Sequence, residues 1–213
     1  MKHEWRGTYL SQLKPSLVHT YGFRSGKRTA DVTSILKELL HYATTWRRKV
    51  FVASQDVETA FDSMCHDYLM EAMLQRGLHP MSVLALMREP TGLSATISIP
   101  GAGCTDAFEF SRGGKQGGIV TPDEFSMFIE YMMTPIVKRW HARGLGFRFE
   151  SGVIVTHLLW ADNVWLVAEK SEDLALMIQE LSLAISLSKL KWKSSSLEVM
   201  AGGLACCKRA LLF

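Results

Sequence analysis

The 213-residue sequence predicts an α+β fold, with helices packed on a mostly antiparallel sheet. Three observations carry that expectation. From Thr29 to Arg48 the apolar residues Val32, Ile35, Leu36, Leu39, Leu40, Ala43 and Trp46 recur at helical spacing. Short β-rich runs, Val50 to Gln55, Val153 to Trp160 and Val164 to Glu169, stand beside tight-turn signals. No repeat, low-complexity tract or linker divides the chain, so a single domain over residues 1–213 is expected.

Taken in order, Leu10, Leu13 and Leu17 suggest a short helical stripe before the Tyr21-Gly22-Phe23 loop. The Thr29 to Arg48 helix leads directly into the strand that Asp56 closes. Residues 66–76 and 80–89 read as two helices, stopped by Gly77 and restarted by Pro80. Leu93 to Ile99, the turn Pro100-Gly101-Ala102-Gly103 and Ala107 to Phe110 read as a hairpin. Thr121-Pro122-Asp123-Glu124 has the form of a capping box with proline at the first helical position. The helix it opens is expected to reach Trp140, bending or breaking at Pro135. Three strands joined by tight turns follow, over Phe147 to Glu150, Val153 to Trp160 and Val164 to Glu169. Ser171-Glu172-Asp173 is expected to cap a helix carrying Leu174, Met177, Ile178, Leu181 and Ile185, and the tail from Lys191 reads either way.

Composition sets bounds. With 47% apolar and 21% charged residues the chain has the makings of a real core, which excludes disorder as a class. Twenty-four Lys and Arg against 21 Asp and Glu leave a charge of +3, which permits nucleic-acid binding without demonstrating it. Basic residues instead gather locally, at Arg24/Lys27/Arg28, Arg47/Arg48/Lys49, Lys138/Arg139/Arg143 and Lys189/Lys191/Lys193. The four cysteines show no metal-ligand spacing and suit a reducing compartment. The charged start and the lack of an apolar run of ~20 residues argue against a signal peptide and a membrane span, so an intracellular protein, nuclear or cytoplasmic, is expected.

Two aspartates carry the chemistry. Asp56 ends an apolar run and Asp162 sits in the turn Trp160-Ala161-Asp162-Asn163, as halves of one metal site do when strand ends bring carboxylates together for phosphoryl transfer. A lone strand-end Asp is more often a turn cap, and Asp-Asn alone is an ordinary turn. The combination weighs more than either part.

Gly22-Phe23-Arg24-Ser25-Gly26-Lys27-Arg28-Thr29, Asp56-Val57-Glu58-Thr59-Ala60-Phe61-Asp62, Arg112 to Pro122 and Ala161-Asp162-Asn163 occur in that order. Together they resemble a reverse transcriptase, an RNA-directed DNA polymerase, of the non-LTR retrotransposon type, over roughly residues 20 to 200. The resemblance implies a polymerase palm over about residues 50–200, partial fingers before it, and no thumb. It implies two Mg²⁺ or Mn²⁺ ions held by Asp56, Asp162 and the carbonyl of Val57, with Asn163 beside them as a third catalytic position. Phe61, Gln116 and Gly117 are then expected to line the nucleotide pocket, Phe61 disfavouring a ribose hydroxyl. Arg24, Lys27, Arg28, Arg112 and Lys115 are expected to meet nucleic-acid phosphates. The implied partners are an RNA template, a DNA primer and deoxynucleotides, with no membrane; protein partners are left unspecified.

The sequence also departs from the family. Asn163 stands where a second aspartate is usual, and Ser196 where a lysine is, leaving Lys193 as the nearest proton donor to a leaving pyrophosphate. A catalytically decayed retroelement fragment that only binds nucleic acid is the rival expectation. An unrelated two-carboxylate nuclease fails to explain Phe61 and the Gln116-Gly117 pair.

Overall fold

A computed structural model describes residues 13–14, 17–115 and 117–203, with the backbone of 208–209. Along the chain run helix α1 (Thr29–Thr45), strand β1 (Val50–Asp56), a single 3₁₀ turn (Phe61–Ser63) and helices α2 (His66–Gln75) and α3 (Pro80–Thr91). Four short strands follow, β2 (Ser94–Ala95), β3 (Ser98–Ile99), β4 (Gly103–Cys104) and β5 (Phe108–Glu109), then helix α4 (Thr121–Ala142). The last part holds β6 (Phe147–Arg148), β7 (Ile154–Val155), β8 (His157–Trp160), β9 (Asn163–Ala168), helix α5 (Ser171–Leu187), β10 (Glu198–Gly202) and β11 (Lys208–Arg209). The class is α+β. Two compact units emerge, one joining Met1–Pro15 to Thr59–Tyr131 and the other joining Ser16–Glu58 to Met132–Phe213.

The second unit is built on a five-stranded antiparallel sheet in the order β11-β10-β1-β9-β8. β1 lies at its centre. Val50 and Val52 point to one face, where they join Val32, Leu39 and Ala43 of α1 and Leu158, Val167 and Phe147 in one buried cluster. Ala53 and Gln55 point to the other face, beside Ile178 and Leu181 of α5. Coverage on both faces explains why Val50 to Ala53 is continuously apolar where a half-exposed strand would alternate. Helix α5 buries Leu174, Met177, Leu181 and Ile185 at the three- and four-residue spacing of one stripe. Each such side chain contributes about 1.5–3 kcal/mol by leaving water. Along the α1 face β1 reads Val50, Val52, Ser54, Asp56, so the same pleat runs from core to polar site.

In the first unit α2 packs against α3, and Leu69, Ala72 and Met73 of the one and Val83, Leu86 and Met87 of the other are buried. Phe125, Phe128 and Ile129, in the first half of α4, are buried in the same unit. Arg76 Nη1 meets Glu130 Oε2 at 2.9 Å where both side chains are nearly buried. The expected hairpin exists as two short pairings, β2 with β5 and β3 with β4.

Local signals misled at several points. Leu13 and Leu17 lie outside any helix, and Leu10 is outside the described residues. Helix α4 continues through Pro135 to Ala142, so the break, one of the two outcomes expected there, does not occur. The position before α5 is held by Lys170, in extended conformation, so Ser171 is the first helical residue instead of the cap. The capping box at Thr121 is replaced as well. The Glu124 N–H donates to the Val120 carbonyl at 2.9 Å, while the Thr121 hydroxyl donates to the Lys115 carbonyl at 2.8 Å, a tertiary partner that outcompetes the local one.

The Glu124 carboxyl is the consequence of that arrangement. It is 1% exposed, and its Oε1 has no hydrogen-bond partner among the described residues. Burial first, then Glu89 and Asp123, push it up to about 7 from an ordinary value near 4.5. Between those values the unfolded chain loses its proton first, so stability falls as pH rises through the window and stays lower above it. The displacement corresponds to about 3 kcal/mol. Glu124→Gln is therefore expected to leave urea stability nearly unchanged at pH 4.5 and to raise it at pH 8. Equal effects at both pH values would count against the buried carboxyl as the cause.

Candidate active site

Asp56 is the last residue of β1, and its register partner on β9 is Asn163. Trp160 pairs with Asn163, so Ala161 and Asp162 alone form the connection between β8 and β9. The turn's positive φ falls on Ala161, at 53°, in the pattern of a II′ hairpin whose first position ordinarily holds glycine. The sequence places Asn163 within the turn. It is instead a strand residue, and its Oδ1 accepts from the Ser54 hydroxyl at 3.2 Å.

The carboxylates are embedded in backbone contacts. Val57 N–H donates to the Asp162 carbonyl at 3.0 Å. On its other edge the segment meets residues 191–193, with Glu58 N–H on the Lys191 carbonyl at 2.8 Å and Lys193 N–H on the Asp56 carbonyl at 2.9 Å. Those bonds flank the Val57–Trp192 pair, so Val57 presents its own N–H and carbonyl to the Asp162 side. Ser196 completes the cage. Its Oγ accepts from the Asp56 N–H at 3.0 Å and donates to the Lys193 carbonyl at 2.7 Å. Burial first, and then Asp56, raise the Asp162 carboxyl above the ordinary aspartate range, while its backbone N–H and the Lys193 ammonium pull it back.

Among the described residues no group of three or more His, Cys, Asp and Glu side chains converges on one point. The donor set at the sheet end is therefore two carboxylates with backbone oxygen. Hard divalent cations take such oxygen donors and complete their shells with water and phosphate oxygens, so the residues fit Mg²⁺ or Mn²⁺. Half-buried Asp162, disfavoured as an anion by burial and by Asp56, is a group that a dication stabilises.

Gly22 explains how the turn is backed. Residues 19–21 run beside β8, with Tyr21 N–H on the Leu159 carbonyl at 2.8 Å and Leu159 N–H on the His19 carbonyl at 3.0 Å. This brings Gly22 against the turn so closely that a Cβ there would lie 2.2 Å from Ala161 N. Arg24 accepts the Lys27 N–H through its carbonyl at 3.1 Å, Lys27 Nζ lies over the Tyr21 ring at 5.4 Å, and Asp31 accepts the Arg28 N–H at 2.7 Å as α1 begins. Arg24, Lys27, Arg28, Asp56, Asp162, Asn163 and Lys193 all belong to the sheet unit.

Phe61, Arg112, Lys115 and Gly117 belong to the other unit, and Gln116 lies outside the described residues. Phe61 packs on Phe125 with ring centroids 5.1 Å apart, so its ring has a core partner whatever else it does. Thr59, two residues earlier, holds φ at 44°, an uncommon conformation for a β-branched residue and one found at constrained sites. The loop from Arg112 to Gly118 is drawn against this segment, Gly114 N–H meeting the Phe61 carbonyl at 2.9 Å and Gly113 N–H the Met64 carbonyl at 2.7 Å. Gly114 and Gly118 admit Thr121, whose side-chain atoms would lie 2.4 and 2.5 Å from a Cβ at either glycine. Beside the loop opens a cleft of about 630 Å³ lined by Asp62, Phe110, Arg112, Gly113, Gly114 and Lys115, among others.

The sequence profile described as "Reverse transcriptase (RNA-dependent DNA polymerase)" matches residues 9–201. The chain belongs to the reverse transcriptase family. A curated relative is the Transposon TX1 uncharacterized 149 kDa protein of Xenopus laevis, 29% identical over 173 residues. That match covers 80% of this chain and 13% of the relative, so the chain spans only a small part of the relative's length. Solved structures agree on the fold. The telomerase of Candida tropicalis, in complex with a fragment of telomeric RNA, superposes with a TM-score of 0.74 over 100% of this chain and 34% of its own, at 10% identity. The telomerase of Candida albicans, also with telomeric RNA, gives a TM-score of 0.66, 12% identity and coverage of 92% and 33%. At such identity the likeness concerns the fold alone. As a family, reverse transcriptases generally use divalent metal ions, and among the described residues of this one no helix is long and apolar enough to cross a membrane.

The sequence had not singled out Ser54 or His66 for any site. Each acts through a partner distant in the chain or on a loop backbone, and no local pattern marks that.

Proposed function

We propose that this reverse transcriptase domain carries out RNA-templated DNA synthesis, in which a primer 3′-hydroxyl attacks the α-phosphate of a deoxynucleotide and pyrophosphate leaves. The observation that carries the reading is the register of Asp56 with Asn163, next to Asp162 at one end of a sheet. Asp56, Asp162 and the Val57 carbonyl would hold two Mg²⁺ or Mn²⁺ ions, which when bound neutralise charge on the attacking and leaving oxygens. The protein's own contribution is mostly positioning and electrostatics. Lys193, whose backbone is fixed to Asp56, is suited to give a proton to the leaving pyrophosphate. Phe61, Gln116 and Gly117 take the nucleotide. Arg24, Lys27, Arg28, Arg112 and Lys115 take template and primer phosphates, so binding is expected to weaken as salt rises. Under this reading about residues 50–200 are mainly palm and the residues before 50 partial fingers.

Primer extension on a homopolymer RNA template, read in Mg²⁺ and Mn²⁺ titrations, tests the proposal. Incorporation of deoxynucleotide is expected, with a high metal requirement and a preference for Mn²⁺, because Asn163 offers no charge where the family has a carboxylate. Asn163→Asp is expected to raise the rate and lower the metal concentration needed. The Ser54 hydroxyl can donate to the new carboxylate as it does to the amide. An active chain whose rate and metal dependence ignore the substitution would make Asn163 a neutral strand residue. Phe61→Val is expected to erode discrimination against ribonucleotides about tenfold or more. It should also lose about 1–3 kcal/mol of stability through the Phe125 contact. Unchanged sugar selectivity in the folded variant would return Phe61 to packing alone.

A further inference from the structure

The loop that begins at Arg112 is tied to the Phe61 segment by links of two kinds. Three involve backbone only: Gly114 N–H to the Phe61 carbonyl, Gly113 N–H to the Met64 carbonyl, and the bridge between Arg112 and Cys65. They say nothing about side-chain identity. The fourth is encoded, since His66 Nε2 donates to the Gly113 carbonyl at 2.9 Å. Gly113 has φ at 91°, and its carbonyl shares one planar peptide with the Gly114 N–H that the Phe61 carbonyl accepts, so His66 holds the opposite edge of a peptide bonded on one side already. It does so from a firm base. It is the first residue of α2, whose Leu69, Ala72 and Met73 are buried. The peptide it holds lines the 630 Å³ cleft, together with Arg112 and Lys115.

We propose that His66 is a positioning residue for the nucleotide site, holding the Gly113–Gly114 peptide against the segment that carries Phe61. The proposal rests on the reading of Phe61, Gln116 and Gly117 as the residues that take the nucleotide. Its chemistry is a single N–H donor at a fixed place, so any side chain that keeps the donor at that reach keeps the function, and an apolar ring of similar size does not. Loss of one such bond is expected to cost about tenfold in affinity.

The experiment compares wild type, His66→Phe, His66→Leu and His66→Gln. Three quantities are read: equilibrium binding of dATP, KM and kcat for dATP incorporation, and hydrogen exchange of the Gly113 and Gly114 amides. The Phe and Leu variants are expected to show a Kd and KM about tenfold higher, kcat within twofold of wild type and faster exchange at both glycines. Gln is expected to restore all of these, and the Leu variant keeps the comparison alive if Phe does not fold. Wild-type KM and exchange in a folded Phe or Leu variant overturn the proposal alone. So does a Gln variant that is as impaired as Phe while its glycine amides stay protected, because the imidazole would then act on the nucleotide and not on the loop. A wild-type chain that neither binds nor incorporates dATP removes the reading of Phe61, Gln116 and Gly117 as nucleotide residues, and this proposal with it.

Discussion

Asp56→Ala and Asp162→Ala are each expected to lower deoxynucleotide incorporation by about 10³-fold or more while the purified chain keeps its helical and sheet signals. The size follows from the role: each change deletes one of the two carboxylates at the sheet end, and removal of a single well-placed electrostatic partner already costs ~10²–10³ in rate. The retention of fold follows from geometry. What ties Asp56 into the sheet is its backbone, bonded to Ser196 and Lys193 and registered with Asn163, and none of these contacts uses the carboxylate. Circular dichroism beside primer extension separates the two. Incorporation that survives in either variant at more than a few per cent would remove that residue from the proposed metal site.

Gly22→Ala is the second large effect. A methyl at this position would lie 2.2 Å from Ala161 N and 3.0 Å from Ala161 Cα, both backbone atoms that cannot swing aside as a side chain can. The turn must move or the segment before α1 must withdraw. Overpacking of this kind costs about 1–3 kcal/mol, and a displacement of ~1 Å at reacting groups lowers rate by ~10². Thermal melting should therefore show a modest loss and primer extension a large one. A variant with wild-type rate would mean that the turn tolerates displacement and that Gly22 is needed for the loop alone.

These residues also show what sequence reading reaches. The placement of Asp56 at a strand end and of Asp162 in a hairpin turn was legible because both have local signatures, and the family because the blocks stand in a recognisable order. Helix α1 was legible because its stripe repeats over many turns. The reason for Gly22 was not, since it depends on Ala161, far along the chain. The strain on Ala161 was equally hidden: a turn of this kind asks for glycine, and the sequence offers alanine with its usual apolar look. Thr121 failed in the opposite direction, its local pattern being correct grammar for a cap that the Lys115 carbonyl pre-empts. His66 carried no signal at all, because a half-exposed histidine at a helix start has many ordinary explanations.

The order of strands bears on how the protein is made. β1 is central, yet both its neighbours, β9 and β10, are encoded more than a hundred residues later, with α2, α3 and α4 between. Pairings of such long range must close large loops before any contact rewards them, and they form late and slowly. During synthesis the strand that ends in Asp56 thus leaves the ribosome as an apolar segment with two open edges. It stays so until β9 has emerged. In that interval the segment is open to aggregation, and the two carboxylates first meet only after more than a hundred further residues have been translated.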